Sequence, residues 1–178
     1  MTDYFELFGI ARSLNLSLDM LQQRYYQLSR ELHPDRFMRQ PEAERQRALD
    51  LSSTLNDAYR TLKDPLKRAH YVLSQEGFDG EQRSTDVPPE LLEEVFELNM
   101  ALEEMRGGDH SARPQLESAE TNFTRMLSDV DLQLEDLFGK YDQSPSRDKL
   151  SAVRGSLNRR KYIQNLVDEV HKSLAPSP

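Results

Sequence analysis

Apolar residues return every three or four positions through most of this chain, and that spacing predicts helices nearly throughout. In the first 75 residues it predicts four. Asp3 and Glu6 have capping-box spacing ahead of a short apolar run, and Gly9 supplies a left-handed residue after it. Ser17 is an N-cap for the second helix, with Asp19 in the first turn and Leu16 and Leu21 placed as a hydrophobic staple. Its stripe is Leu18, Leu21, Tyr25, Leu28 and Leu32, and Pro34 stops it by pushing the preceding residue out of helical dihedrals. Pro41 suits the first turn of a third helix carrying Ala48, Leu51, Leu55, Ala58, Tyr59 and Leu62 on one side. Asp64-Pro65 ends that helix and starts a fourth, which reaches Gln75.

A polar, turn-rich stretch from Gly77 to Asp86 reads as a linker. Beyond it the pattern predicts three longer helices. Pro88-Pro89-Glu90 opens the first, and Gly107-Gly108 ends it. The second runs from about Ser111 to Gly139, with Leu116, Ala119, Phe123, Met126, Val130, Leu134 and Leu137 on one face. The third starts after Ser144-Pro145 and ends before Pro176, with Gly155 as a weak point inside it. Short connections between helices of similar length favour an antiparallel three-helix bundle. The chain therefore divides into residues 1–75, a linker over 76–87 and a bundle over 88–178.

Composition narrows the class. Leu occurs 26 times against nine for Val and Ile together, which nearly excludes an all-β fold. Cys is absent, so disulfides, thiolate nucleophiles and Cys-ligated metal sites are excluded. No apolar run is long enough to span a membrane, and the acidic Met1–Glu6 segment lacks the bases of a signal or transit peptide, so a cytoplasmic location is expected. The formal charge of −8 is unevenly spread. Residues 1–75 hold 11 Lys/Arg against 10 Asp/Glu, and residues 76–178 hold 12 against 21. Two halves with different partners fit that asymmetry, and a net-acidic chain argues against nucleic-acid binding.

Nothing in the chain reads as catalytic. The four histidines, His33, His70, His110 and His171, are scattered, and no phosphate loop, zinc-protease motif or nucleophile elbow is present. Neighbouring carboxylates such as Glu93-Glu94 and Glu103-Glu104 diverge by about 100° on a helix and cannot share one site. No cofactor and no metal ligand set is expected.

One loop stands apart. His33-Pro34-Asp35 lies between two amphipathic helices and precedes Arg36, Phe37 and Arg39. By itself it reads as a turn in which Pro ends a helix and Asp makes local backbone bonds. Its surroundings change that reading. A short helix with Tyr4, Phe5 and Leu7, a striped helix ending in His-Pro-Asp, and a third helix with Asn56-Asp57-Ala58-Tyr59-Arg60 and Leu62 resemble a J-domain. The run Pro65, Arg68, Ala69, Tyr71 and Leu73, with the acidic helical second half, resembles the J-type co-chaperones of iron–sulfur cluster assembly, the HscB family. The absence of an amino-terminal Cys-x-x-Cys extension favours a bacterial member over a mitochondrial one.

The resemblance implies a J-domain packed on a carboxyl-terminal bundle in an L shape. It also implies an adaptor rather than an enzyme. The J-domain of that family binds the ATP state of a DnaK-type chaperone, HscA, and stimulates its ATPase, while the bundle holds the cluster scaffold IscU. Carried over by position, His33, Pro34, Asp35 and Arg36, with the basic residues Arg24, Arg30 and Arg39, meet the chaperone. Arg36 stands where Lys is common, which keeps the charge and changes its geometry. Leu92, Phe96, Glu97, Met100 and Glu104, with Tyr162 on the last helix, meet the scaffold; Met100 departs from the acidic residue common at its position. A general J-protein serving DnaK is the alternative, but no Gly/Phe-rich stretch or zinc module for many clients is present. A structural helical adaptor with an inert His-Pro-Asp turn is the other.

Periodicity supports the scaffold site independently. Leu91, Val95, Leu98, Leu102 and Met105 fall within about 40° of one direction, a core stripe. Leu92, Phe96 and Met100 form a second line, displaced by roughly 100–180°. A helix lying on two others buries one stripe and not both. The second must pack on the J-domain or stay exposed for a partner, and Glu93, Glu97, Glu103 and Glu104 flank it as an acidic rim. Ile163, Leu166, Val167 and Val170 define a different face from Tyr162, which sets that tyrosine apart from the core.

Overall fold

The computed structural model describes residues 3–78 and 87–175; most of the linker expected over 76–87 lies outside them. The described residues are all-α, without a strand. They separate into two compact units, one holding residues 3–78 together with 138–145, the other holding the rest.

In the first unit the helices are α1 (Tyr4–Phe8), α2 (Leu18–Glu31), α3 (Glu42–Lys63) and α4 (Pro65–Gln75). The caps lie where the sequence places them. Asp3 accepts from the Phe5 amide, Ser17 from the Met20 amide, and Asp64 from the amides of Leu66 and Lys67. Gly9 ends α1 at φ 63°, a conformation that favours glycine. Helices α2 and α3 form a hairpin, with Tyr25 stacked on Tyr59 and its hydroxyl donating to Asn56. Phe5, Phe8, Leu14, Leu21, Leu55, Ala58, Leu62, Ala69 and Val72 make the core.

Three expectations need correction here. Leu18 and Leu51 belong to the predicted stripes yet are exposed. Leu18 opens α2, ahead of the turn where packing begins at Leu21, and Leu51 sits at the edge of the α3 stripe. Pro41 is the N-cap of α3 rather than a first-turn residue, with an extended ψ of 153°.

Arg68, from the run that carries the resemblance, and Asp142, which no sequence feature singles out, hold this unit together. Arg68, only 4% exposed, donates from Nε to the Leu14 carbonyl at 2.9 Å and from its guanidinium to the Leu62 carbonyl. Burial lowers its pKa, opposed by the charges of Asp142 and Asp64. Asp142 accepts from the Leu14 amide, the Asn15 amide and the Ser13 hydroxyl, each at 2.7 Å.

Asp142 lies near the end of α6 (Arg113–Gln143), which runs four residues past the predicted stop at Gly139. Glycine alone does not end a helix, and here Phe138 and Tyr141 are buried on either side of it. The other helices of the second unit are α5 (Leu92–Arg106) and α7 (Arg147–Leu174). A 3₁₀ turn over His110–Ala112 precedes α6, and another over Pro89–Leu91 precedes α5. Gly155 does not interrupt α7, where Val153, Ser156 and Leu157 beside it are buried. Ion pairs give the helix directions. Asp131–Arg160 and Glu120–His171 make α6 and α7 antiparallel, while Glu90–Arg159 and Arg106–Glu169 make α5 run with α7. Leu91, Val95, Leu98 and Leu102 join Leu116, Phe123, Val130, Leu150, Val153, Ile163 and Val170 in the core, and Met105 is half-buried.

Candidate functional site

Two surfaces collect the residues singled out by sequence, one in each unit. The first is the turn between α2 and α3. Helix α2 ends at Glu31, and Pro34 to Phe37 form one 3₁₀ turn packed on α3. His33 caps that turn, its Nδ1 accepting from the Asp35 amide at 3.3 Å. The local backbone bond expected of the aspartate is thus made by the histidine, leaving Nε2 as its donor. Asp35 is released from that duty, and its side chain is 77% exposed with Oδ2 3.6 Å from His33 Nδ1. Arg36 reaches back toward the Arg30 carbonyl, at 3.5 Å. Arg24, Arg30, Arg36 and Arg39 are all exposed, and none has a carboxylate partner among the described residues. Pro34 fixes one dihedral of the turn and so limits its backbone freedom.

The second surface is the outer face of α5. Leu92, Phe96 and Met100 are 56%, 65% and 51% exposed, so the second stripe is not part of the core. Glu97 and Glu104 are exposed beside it. Tyr162 is half-buried on α7, three residues after Arg159 and seven before Glu169. Those two residues pair with Glu90 and Arg106 at either end of α5, so Tyr162 lies on the α7 face that meets α5. Burial, then the Glu169 carboxylate, pushes its phenol above the usual value, and its hydroxyl stays a neutral donor. Ile163, Leu166, Val167 and Val170 are the buried residues of that segment, and Tyr162 stands at the edge of that core.

Between α5 and α6 the surface sinks into a groove of about 810 Å³. Glu94, Glu97, Met100 and Glu104 line it from α5; Gln115, Ser118 and Asn122 line it from α6. Sequence reading missed the α6 side. Its only signal is the polar spacing of three, four and seven at positions 115, 118 and 122, which is also what a solvated helix face shows.

Comparison with known proteins matches each half of the chain to a known domain. Residues 3–71 match the DnaJ domain, and residues 87–171 match the HSCB C-terminal oligomerisation domain. Among solved structures the chain is similar to the chaperone HscB from Vibrio cholerae, at 31% identity over 96% of each chain with a TM-score of 0.65. It is also similar to the human co-chaperone protein HscB, at 26% identity over 99% of this chain and 84% of that one, again with a TM-score of 0.65. With the His-Pro-Asp turn on a helical hairpin and an all-α carboxyl-terminal unit behind these matches, the chain belongs to the HscB family of J-type co-chaperones.

Proposed function

We propose that this protein carries an IscU-type iron–sulfur cluster scaffold to an HscA-type, DnaK-like chaperone and stimulates the chaperone's ATPase. Residues 1–75 face the chaperone, through His33, Pro34, Asp35 and Arg36 with Arg24 and Arg30. Residues 88–178 face the scaffold, through Leu92, Phe96, Glu97, Met100, Glu104 and Tyr162. The observation that carries the reading is the exposed second stripe of α5. Three large apolar side chains stand exposed in line, beside carboxylates that have no cationic partner among the described residues, and such a face suits a protein partner. On the chaperone side the chain contributes selective binding to one nucleotide state, which suffices to accelerate a partner's chemistry.

The test measures steady-state ATP hydrolysis by the purified chaperone with this protein, with the scaffold, and with both, alongside titration of the scaffold by calorimetry. Stimulation by this protein, a further rise with both, and a saturable scaffold complex are expected. A chaperone rate unchanged by this protein refutes the trigger, and an absent complex refutes the cargo.

A further inference from the structure

We propose that the groove between α5 and α6 is a second wall of the scaffold-docking surface and seats a lysine or arginine side chain of the scaffold protein. The inference rests on the assignment of α5 to the scaffold and extends it to α6, which that assignment leaves out.

Charge is the first argument. Glu94, Glu97 and Glu104 border the groove, and none has an ion pair or a side-chain hydrogen bond among the described residues. Elsewhere in the same unit, carboxylates are matched by arginines: Glu90 by Arg159, Glu169 by Arg106 and Asp131 by Arg160. The opposite wall carries no cation; its polar lining residues are Ser111, Gln115, Ser118 and Asn122. Three carboxylates around a concavity hold a negative potential that low-dielectric walls concentrate, and a partner's cation relieves it.

Shape is the second. The groove reaches down to small side chains, Ala101 on α5 and Ala119 on α6, beside the buried Leu98 and Phe123. Its lower part is thus apolar and its mouth acidic. Lysine and arginine have the matching profile, an aliphatic stem that packs on apolar surface and a charged head that stays at the rim. Continuity is the third. Met100 borders the groove and also ends the exposed stripe, so one partner surface covering Leu92, Phe96 and Met100 passes over the mouth.

The test titrates purified cluster-free scaffold against the full chain and four variants at two ionic strengths, with a thermal melt of each. Ser118→Lys/Asn122→Lys places two cations in the groove; Thr121→Lys places one on an exposed part of the same helix outside it. The double lysine variant is expected to weaken binding by at least about tenfold through like-charge repulsion, and Thr121→Lys by less than about twofold. Glu97→Gln/Glu104→Gln, which keeps the shape, is expected to weaken binding and flatten its salt dependence. The proposal is overturned if both groove variants bind like the unaltered chain while Leu92→Ser/Phe96→Ser loses affinity; the stripe then stands without the groove. If Leu92→Ser/Phe96→Ser also binds normally, the scaffold assignment itself fails and the groove falls with it.

Discussion

The two proposed surfaces differ in kind. The turn at His33 to Asp35 is polar, short and held by local bonds, and it presents charge. The outer face of α5 is apolar and built on a continuous helix, and it presents area. They share one property: their charges are unmatched among the described residues. Among those residues the arginines around the turn have no carboxylate partner and the carboxylates along α5 no cation, while charges that serve the fold, such as Arg12 with Asp3 and Glu76, are paired. On the proposed function, the unmatched charges of the two surfaces are available to partners, and the Arg12 pairs serve the fold.

The largest expected effect tests the apolar side. Replacing Leu92 and Phe96 with Ser removes two side chains whose burial under a partner contributes roughly 1.5–3 kcal/mol each. Loss of both corresponds to about two to four decades in scaffold dissociation constant. The melting temperature is expected to stay within about two degrees, because exposed positions contribute little to folding. A fall of several degrees with undiminished scaffold affinity would make the stripe structural, and the contrast between the surfaces would collapse.

The next tests the polar side. Asp35→Asn removes one charge from an exposed turn and leaves the His33 cap in place. Loss of a charge-assisted contact to a buried partner group commonly costs about 2–5 kcal/mol. ATPase stimulation at sub-saturating concentration is therefore expected to drop more than tenfold, with scaffold binding unchanged. Full stimulation by the variant would leave the turn inert.

How far each surface was legible follows from its physics. The His-Pro-Asp turn is a run of adjacent residues, so sequence locates it, but the division of labour within it is geometric. That His33 makes the backbone bond and frees Asp35 depends on torsions no motif carries. The α5 stripe is legible because helical period converts spacing into direction, and its exposure follows from having two stripes and one core. Leu18 and Leu51 mislead for the same reason: spacing gives a face, and not whether the neighbouring helix reaches that far. The α6 side of the groove and the bonds of Asp142 are illegible, since they join positions far apart in the chain. Asp142 and Ser13 are 129 residues apart, and any solvated aspartate near a helix end looks the same in sequence.

Asp142 supplies a third, smaller test, now of framework against surface. Asp142→Ala leaves the amides of Leu14 and Asn15 and the hydroxyl of Ser13 without their acceptor. Unsatisfied donors of this kind cost roughly 1–3 kcal/mol. A melting temperature lower by several degrees is expected, with scaffold affinity unaltered. Unchanged melting would mean that water replaces the carboxylate fully.

The smallest effect concerns the paired charge at Asp3, where stability rather than binding depends on pH. Burial alone would raise its carboxyl; hydrogen bonds from Arg12 and from the amides of Phe5 and Glu6 outweigh that and hold it below its ordinary value. A carboxyl whose pKa is depressed by folding stabilises the fold above its unfolded value, about 3.9. That contribution is lost as pH falls through the lower folded value, when the proton neutralises the partner of Arg12. Asp3→Asn keeps an oxygen for capping and removes the charge, so the difference between the two proteins isolates the ion pair. Denaturant unfolding at neutral pH is expected to show Asp3→Asn less stable by at most about 1 kcal/mol, as partly exposed pairs are weak. The gap is expected to close progressively as pH is lowered below about 4. A gap independent of pH would mean that the cap, and not the charge, is what Asp3 contributes, and this matched pair would then add no more to folding than the unmatched charges do.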